Sequence, residues 1–228
     1  MAQVTILDSV VTTVHEAARQ LRIPPATLMH WLEGGERRGR RYEPILREHA
    51  TGRPEMTWGE IVEAQYLRTY RSEKKVPMQR LRPFISGLRS ALGIPYPLAH
   101  FRPWVSENRQ LLLDSQETTD LPDSLWAVFR GKHGQLVINP LIEVEFLERV
   151  EFAHEPSGEA LALWPMGMKH PVTLDPRISS AAATVKGVRT GILTERIEAL
   201  ESFEDVADEF GLSVAEVKAA VSFELHAA

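Results

Sequence analysis

The 228-residue sequence contains no cysteine. This absence excludes disulfide bonds, thiolate nucleophiles and cysteine-ligated zinc, and we therefore expect a reducing, cytoplasmic compartment. The sequence also lacks any apolar run near the roughly 18 residues that a membrane-spanning helix needs, so no membrane partner is expected. The first residues show no basic segment ahead of an apolar stretch, which predicts that there is no secretory signal.

Recognisable catalytic and ligand-binding patterns are missing too. The eight histidines are dispersed and form no pair at metal-ligand spacing, which predicts that there is no metal site. No glycine-rich phosphate loop follows a strand, and no acid, base and nucleophile come together in the pattern. The sequence therefore predicts a protein that is not an enzyme and that uses no cofactor.

Charge is distributed unevenly along the chain. The net charge is −5, but residues 1–105 hold 16 Lys and Arg against 10 Asp and Glu, whereas residues 106–228 hold 10 against 21. Such asymmetry indicates that the basic half meets a polyanion. The alternative is two surfaces of chance composition. We favour the functional interpretation because the basic excess coincides with a recognisable motif.

A pattern typical of a helix-turn-helix begins at Thr13. Thr13 and Glu16 have the spacing of a capping box, which predicts the start of a helix over residues 14–22. Pro24 and Pro25 end that helix and open a second one over residues 25–32. The apolar residues that recur at helical spacing are expected to be buried: Val14, Ala17, Ala18, Leu21, Leu28, Trp31 and Leu32.

The candidate DNA contacts lie on the other face of the second helix and directly after it. Two tightly joined helices can place the second across the major groove. This helix carries no Lys or Arg, so we expect the arginines around Gly39 to grip phosphate as a wing or loop. The structural alternative is an ordinary amphipathic helix pair with a solvated loop. The predicted DNA-binding residues are Pro25, Thr27, His30, Arg37, Arg38, Arg40, Arg41 and Tyr42.

Further helices and short strands follow this motif. Thr57 and Glu60 form another capping box ahead of an apolar stripe, and a helix over residues 77–92 contains Pro83, where a kink is expected. The helix predicted next lies at residues 139–147, and a turn-rich linker at 154–159. Short strands are predicted at residues 101–105, 110–113, 125–129, 160–164 and 172–174.

A second helix-turn-helix pattern, acidic rather than basic, lies near the C-terminus. Ser202 caps a helix over residues 203–210, Gly211 ends it, and Ser213 opens a helix to about residue 225. Seven acidic residues between 198 and 216 face Lys218 alone, which favours a protein or dimer contact over DNA. The predicted core of this unit comprises Phe203, Val206, Phe210, Val214, Val217, Ala220, Val221 and Leu225.

Residues 12–42 resemble the MerR-type winged helix-turn-helix. The likeness lies in the order Val14-His-Glu-Ala-Ala-Arg19, then Ile23-Pro-Pro-Ala-Thr-Leu-Met-His-Trp-Leu-Glu-Gly34. In that family the Thr-Leu-x-x-Trp helix enters the DNA groove and the next segment forms a wing. The likeness extends loosely over residues 57–71 and 77–92, where the family has its second helical pair. The chain departs from it at Met29 and His30, where an arginine and an aromatic residue are frequent.

Residues 171–226 resemble a small antitoxin domain with a short strand, an Asp-Pro-Arg turn, a Gly-Thr-Arg turn and a helix-turn-helix. The matching stretches are residues 172–178, 185–189 and 202–221. The chain departs at residues 180–184, where the family has Gly-x-Pro, and at Val188, where it has threonine.

Proteins that join both units look like VapB-type antitoxins. The partners that this resemblance implies are double-stranded promoter DNA and a PIN-like ribonuclease toxin. Arg177 or Arg189 would reach into the acidic nuclease site, because guanidinium pairs bidentately with carboxylates. The alternative role of these arginines is to pin a turn through backbone hydrogen bonds.

The combined prediction is a mainly α, α+β protein that acts as an antitoxin and represses its own promoter. Its parts are a winged helix-turn-helix DNA-binding domain (1–105), a connecting region with short strands and a helix (106–158) and an acidic helix-turn-helix antitoxin domain (159–228). A homodimer is expected, because two-fold proteins read paired half-sites. A stand-alone MerR-like regulator and a protein-only interaction module stay open as alternatives.

Overall fold

The structure, a computed structural model, describes residues 5–37, 39–73, 75–100, 128–130, 136–138, 148–154 and 157–226. Helices and antiparallel strands alternate in these ranges. The α-helices are α1 Val14–Leu21, α2 Pro25–Glu33, α3 Trp58–Arg68, α4 Met78–Leu92, α5 Thr190–Glu198, α6 Phe203–Phe210 and α7 Val214–Leu225. The strands are β1 Val10–Thr13, β2 Gly35–Arg37, β3 Arg40–Tyr42, β4 Glu55–Thr57, β5 Val128–Arg130, β6 Leu136–Ile138, β7 Val150–Phe152, β8 Ala160–Leu163, β9 Val172–Asp175, β10 Ile178–Val185 and β11 Val188–Arg189.

The helix pair α1 and α2 has the predicted position. Arg22 ends α1 in the left-handed conformation, and Pro25 occupies the first position of α2. The Thr13 capping box is only half formed: the Thr13 hydroxyl accepts from the Glu16 N–H, but the Glu16 carboxylate accepts from Arg19 and Gln20 instead. The Thr57 box is complete. All seven apolar residues predicted to be buried in α1 and α2 are buried.

The fold class is α+β, but the expectation that helix-turn-helix units make up most of the protein is wrong, because the C-terminal half contains a large sheet. A five-stranded antiparallel sheet in the order β11-β10-β9-β8-β7 forms the centre of the C-terminal half. Strands β8 and β9 agree with the predicted strands, but no strand is predicted from the sequence at β10. Its small residues hide the alternation that marks a strand. The register also shifts between Ile178 and Ala183, where three residues have positive φ, namely Ser179, Ser180 and Ala181.

The acidic helices α6 and α7 lie where the sequence predicts them. Ser202 and Ser213 cap them, and Gly211 ends α6 in the left-handed conformation. Three of the eight predicted core residues are buried, namely Val206, Val217 and Ala220, and four are half-buried, namely Phe203, Phe210, Val214 and Val221. Leu225 is exposed, and Phe223 is buried instead. The reason is tertiary, because α7 packs toward α1, where the Arg22 guanidinium carbon lies 5.6 Å from the centre of the Phe223 ring.

The two halves of the chain share one hydrophobic core, which contains residues from α1, α3, β9 and α7. The buried Trp58 indole donates a hydrogen bond to the Ala160 carbonyl at 2.7 Å. Arg19 of α1 also forms an ion pair with Glu224 of α7. The helix-turn-helix pair near the N-terminus is therefore anchored on the C-terminal sheet and helices.

Several predicted elements lie outside the described residues. These are the strands at 101–105 and 110–113, the helix at 139–147 and part of the linker at 154–159. Strand β5 overlaps the end of the strand predicted at 125–129 and pairs with β6. Among the helices that the structure describes, none is long and apolar enough to cross a membrane.

Candidate nucleic-acid interface

The arginine-rich segment after α2 forms a two-stranded β-hairpin, which we call the wing (residues 35–42). Strands β2 and β3 pair antiparallel, with Gly35 opposite Tyr42 and Arg37 opposite Arg40. Gly39 lies in the tight connection with φ +70°. Glycine adopts this conformation without steric cost, which suits it to a hairpin turn. The chain therefore projects a short basic hairpin beside the exposed face of α2.

A groove with a volume of about 1110 Å³ lies between α2, the wing and α4, and we call it the basic groove. Thr27 and His30 line it from α2, three residues apart and therefore on one helix face. Arg40 and Tyr42 line it from the wing. The opposite wall comes from the segment at residues 71–82. On that wall the lining residues are Arg71, Pro77, Met78, Gln79 and Arg82.

Tyr42 connects the walls of the basic groove. Its ring centre lies 5.6 Å from that of His30 in an edge-to-face arrangement. The guanidinium carbons of Arg40 and Arg82 each lie 5.5 Å from the same ring centre. Cation–π contacts of this kind contribute roughly 0.5–1 kcal/mol at exposed sites. Arg82 also donates a hydrogen bond to the Glu43 carbonyl, so α4 holds the wing from two directions.

The loop after the wing fixes the C-terminal end of α2 through Arg47. The Arg47 guanidinium lies against Glu60 of α3, with Nε 2.8 Å from Oε1, and forms a second ion pair with Glu33 of α2. Glu33 also accepts from the backbone N–H groups of Thr51 and Gly52 at 2.8 and 2.7 Å. Burial raises the pKa of Glu33, but these hydrogen bonds and Arg47 together bring it below its usual value. The C-terminal end of α2 is thus fixed by contacts with α3 and with the loop after the wing.

The predicted DNA-binding residues occupy different positions around this groove. Thr27, His30, Arg40 and Tyr42 line it, whereas Pro25 and Arg41 do not. Pro25 is exposed at the first position of α2, and Arg41 is exposed with its Nε 3.6 Å from Glu43. Arg37 belongs to β2, and Arg38 lies outside the described residues.

Sequence reasoning missed the far wall of the groove. Arg71 and Arg82 are separated from the wing by about 30 to 40 residues, so no local spacing connects them to it. Burial lowers the pKa of Arg82 from its usual value, with Tyr42 and Glu43 opposing that shift. The sequence indicates a role for these two arginines only in a general way, because both belong to the net positive half of the chain.

The C-terminal helices present the opposite charge. Arg196 of α5 is held by two carboxylates, with Nη2 2.8 Å from Glu201 and 2.6 Å from Glu209. The remaining acidic side chains therefore have little cationic compensation on this surface. Those that the structure shows as exposed are Glu195, Glu198, Glu204, Asp205 and Asp208.

The two candidate toxin contacts differ in their surroundings. The Arg177 guanidinium binds Asp175, with Nη2 2.6 Å from Oδ2 and Nε 2.9 Å from Oδ1, and the Arg177 N–H donates to the same carboxylate. Burial raises the pKa of Asp175, but these contacts lower it overall. Arg177 therefore pins the turn between β9 and β10. Arg189 is exposed at the end of β11.

The geometry describes an α+β protein with a basic groove at one side and an acidic helical surface in its C-terminal half. No protein-family model matches the chain. "Putative antitoxin VapB45" of Mycobacterium tuberculosis is 31% identical over 217 residues, which cover 88% of this chain and 88% of that protein. "Uncharacterized protein Rv2308" of the same organism is 30% identical over 98% of this chain and 93% of its own length.

A solved structure has the same architecture. The crystal structure of Rv2018 from Mycobacterium tuberculosis superposes with a TM-score of 0.72 at 27% sequence identity, covering 95% of this chain and all of that one. Identity at this level over nearly complete chains shows common descent. The chain therefore belongs to the family that contains "Putative antitoxin VapB45" and Rv2308.

Proposed function

We propose that this protein is an antitoxin that binds its own promoter DNA through the basic groove and neutralises a PIN-like ribonuclease toxin through its C-terminal half. Membership of a family that contains a protein named as an antitoxin supports the first part of the proposal. The observation that carries the DNA-binding part is the basic groove itself. It brings the exposed face of α2, the wing and Arg82 to one surface.

The opposite charges of the two halves support DNA binding by the N-terminal half and protein binding by the C-terminal half. DNA attracts cations and releases counterions when phosphates are neutralised, so the wing is suited to grip the backbone. The acidic α6 and α7 pair would be repelled by the same phosphates. We assign that surface to protein contacts, with the toxin or with a second copy of the chain in a homodimer that reads two half-sites.

The test of DNA binding is the salt dependence of affinity for a duplex that carries the region upstream of the gene. Replacing Arg37, Arg38, Arg40 and Arg41 by alanine should flatten log K against log salt concentration by about 0.9 for each lost phosphate contact. Fluorescence anisotropy with a labelled duplex measures this slope. We expect the single variant Arg40→Ala to change the slope.

Lys218→Ala is the matched control, because it removes one positive charge from α7. Its slope should equal that of the unmodified protein. An unchanged slope in the fourfold arginine variant would rule out the wing as the phosphate grip. Absence of any duplex binding, together with tight binding to a partner protein, would favour a protein-only interaction module.

The toxin half of the proposal has its own test. A neighbouring reading frame that encodes a small nuclease should inhibit growth when it is expressed alone, and co-expression of this protein should restore growth. The two products should then purify as a complex. Growth inhibition that persists on co-expression would contradict the antitoxin role and leave a stand-alone regulator.

A further inference from the structure

His30 lines the basic groove, and contacts on two sides orient its ring. Its Nδ1 lies 3.0 Å from the carbonyl oxygen of Gly34, the residue that caps α2. His30 lines the groove together with Thr27. The ring of Tyr42 packs against it at 5.6 Å. The imidazole is therefore held from its own helix and from the wing.

The contact with Gly34 determines which ring nitrogen carries the proton. A carbonyl oxygen only accepts hydrogen bonds, so the 3.0 Å contact requires a hydrogen on Nδ1. In a neutral imidazole the other nitrogen then has a free lone pair and no hydrogen. In that form Nε2 is an acceptor for any donor group that enters the groove.

The charged and titratable side chains that line the groove with His30 are Glu36, Arg40, Tyr42, Arg71 and Arg82. Three arginines against one glutamate make the local potential positive among the described residues, which suits the groove to DNA.

We propose that His30 is a specificity-determining residue whose Nε2 accepts a hydrogen bond from the exocyclic amine of an adenine or a cytosine in the DNA major groove. In the major groove, the amino groups of adenine N6 and cytosine N4 are the donors, whereas guanine and thymine present acceptors there. A phosphate also offers acceptors only, so an unprotonated Nε2 would be repelled by it. The inference rests on the proposed DNA-binding function and adds the chemical group that the site reads.

The experiment is a selection from a pool of DNA duplexes with 20 randomised base pairs, carried out with the full-length protein at pH 8. We expect one base pair of each half-site to be enriched through His30, with the adenine or cytosine of that pair supplying the amine. In His30→Ala the preference at that position should disappear while the other positions keep theirs. Met29→Ala is the matched control on the same helix, because Met29 is exposed and does not line the groove.

A second arm changes the DNA and leaves the protein intact, so it does not depend on the folding of a variant. At the selected position, purine replaces adenine, or pyrimidin-2-one replaces cytosine, and only the amine is lost. Affinity of the unmodified protein should fall by about 5- to 10-fold, as expected for one lost hydrogen bond. His30→Ala should bind both duplexes equally.

The outcomes separate the two proposals. An unchanged preference in His30→Ala, or an equal loss of affinity in both proteins on removing the amine, would overturn the role of His30 while DNA binding stands. Failure of the unmodified protein to enrich any sequence or to bind any duplex would overturn the DNA-binding function and this inference with it.

Discussion

Replacing Glu63 by glutamine should remove a loss of stability that the protein otherwise shows as the pH rises from 5 to 8. Glu63 is fully buried in α3. Its Oε1 accepts from the Leu98 N–H at 3.1 Å, and its Oε2 lies 3.3 Å from Nη2 of Arg89. Burial raises the pKa of Glu63 to about 8, although Arg89 and the Leu98 N–H act in the opposite direction.

The sign of the effect follows from proton linkage. Between the unfolded pKa near 4.5 and the folded value of about 8, the folded protein binds the Glu63 proton more tightly than the unfolded chain does. Stability therefore falls as pH rises through this window. One pKa unit corresponds to about 1.4 kcal/mol, so the loss between pH 5 and 8 is on the order of 4 kcal/mol. Glutamine has no proton to release in this range.

Urea unfolding followed by tryptophan fluorescence at several pH values between 5 and 9 measures this difference. Glu63→Gln should gain stability relative to the unmodified protein as pH rises, and the gain should level off above pH 8. Glu198→Gln, an exposed substitution on α5 that removes the same charge, is the control. If the free-energy difference between Glu63→Gln and the unmodified protein is the same at pH 5 and pH 8, the burial argument is wrong.

Two further predictions concern packing. Gln65 is fully buried in α3, and neither the oxygen nor the nitrogen of its side-chain amide has a hydrogen-bond partner among the described residues. Gln65→Met should therefore stabilise the protein by about 1–2 kcal/mol and raise Tm by roughly 2–8 °C. A lower Tm in differential scanning calorimetry would show that the amide is satisfied in solution. Gly34 and Gly39 both have φ +70°, but a Cβ on Gly34 would lie 2.3 Å from the Tyr42 carbonyl oxygen, whereas one on Gly39 meets nothing within 4 Å. Gly39→Ala should therefore cost about 1–2 kcal/mol and Gly34→Ala several kcal/mol; equal losses in thermal unfolding would contradict the clash.

Local chemistry is what made the helices predictable. Pro25 cannot continue α1 and suits the first turn of α2, and Ser213 and Glu216 satisfy each other's backbone donors at the start of α7. These signals act within four residues and need no tertiary contact. The turn between β10 and β11 is also local in character, because Lys186 and Gly187 both adopt positive φ in a two-residue turn.

Long-range packing determined the elements that sequence reasoning missed. The small residues of β10 become a strand because β9 and β11 pair with them on either side. Phe223 is buried and Leu225 exposed because of where α7 meets α1 and the sheet. Helical periodicity alone does not identify the partner of a face, so it placed the wrong one of these two residues in the core.

The sequence by itself determined the basic wing, the α1 and α2 pair and the acidic α6 and α7 pair, since each depends on residues close together in the chain. Only the tertiary structure brought Arg82 to Tyr42 and so closed the far wall of the groove. It also set the hydrogen bond from His30 to Gly34 that places a hydrogen on Nδ1. Residue type and spacing supply the charge of a surface, whereas the direction of each donor and acceptor depends on how distant segments pack.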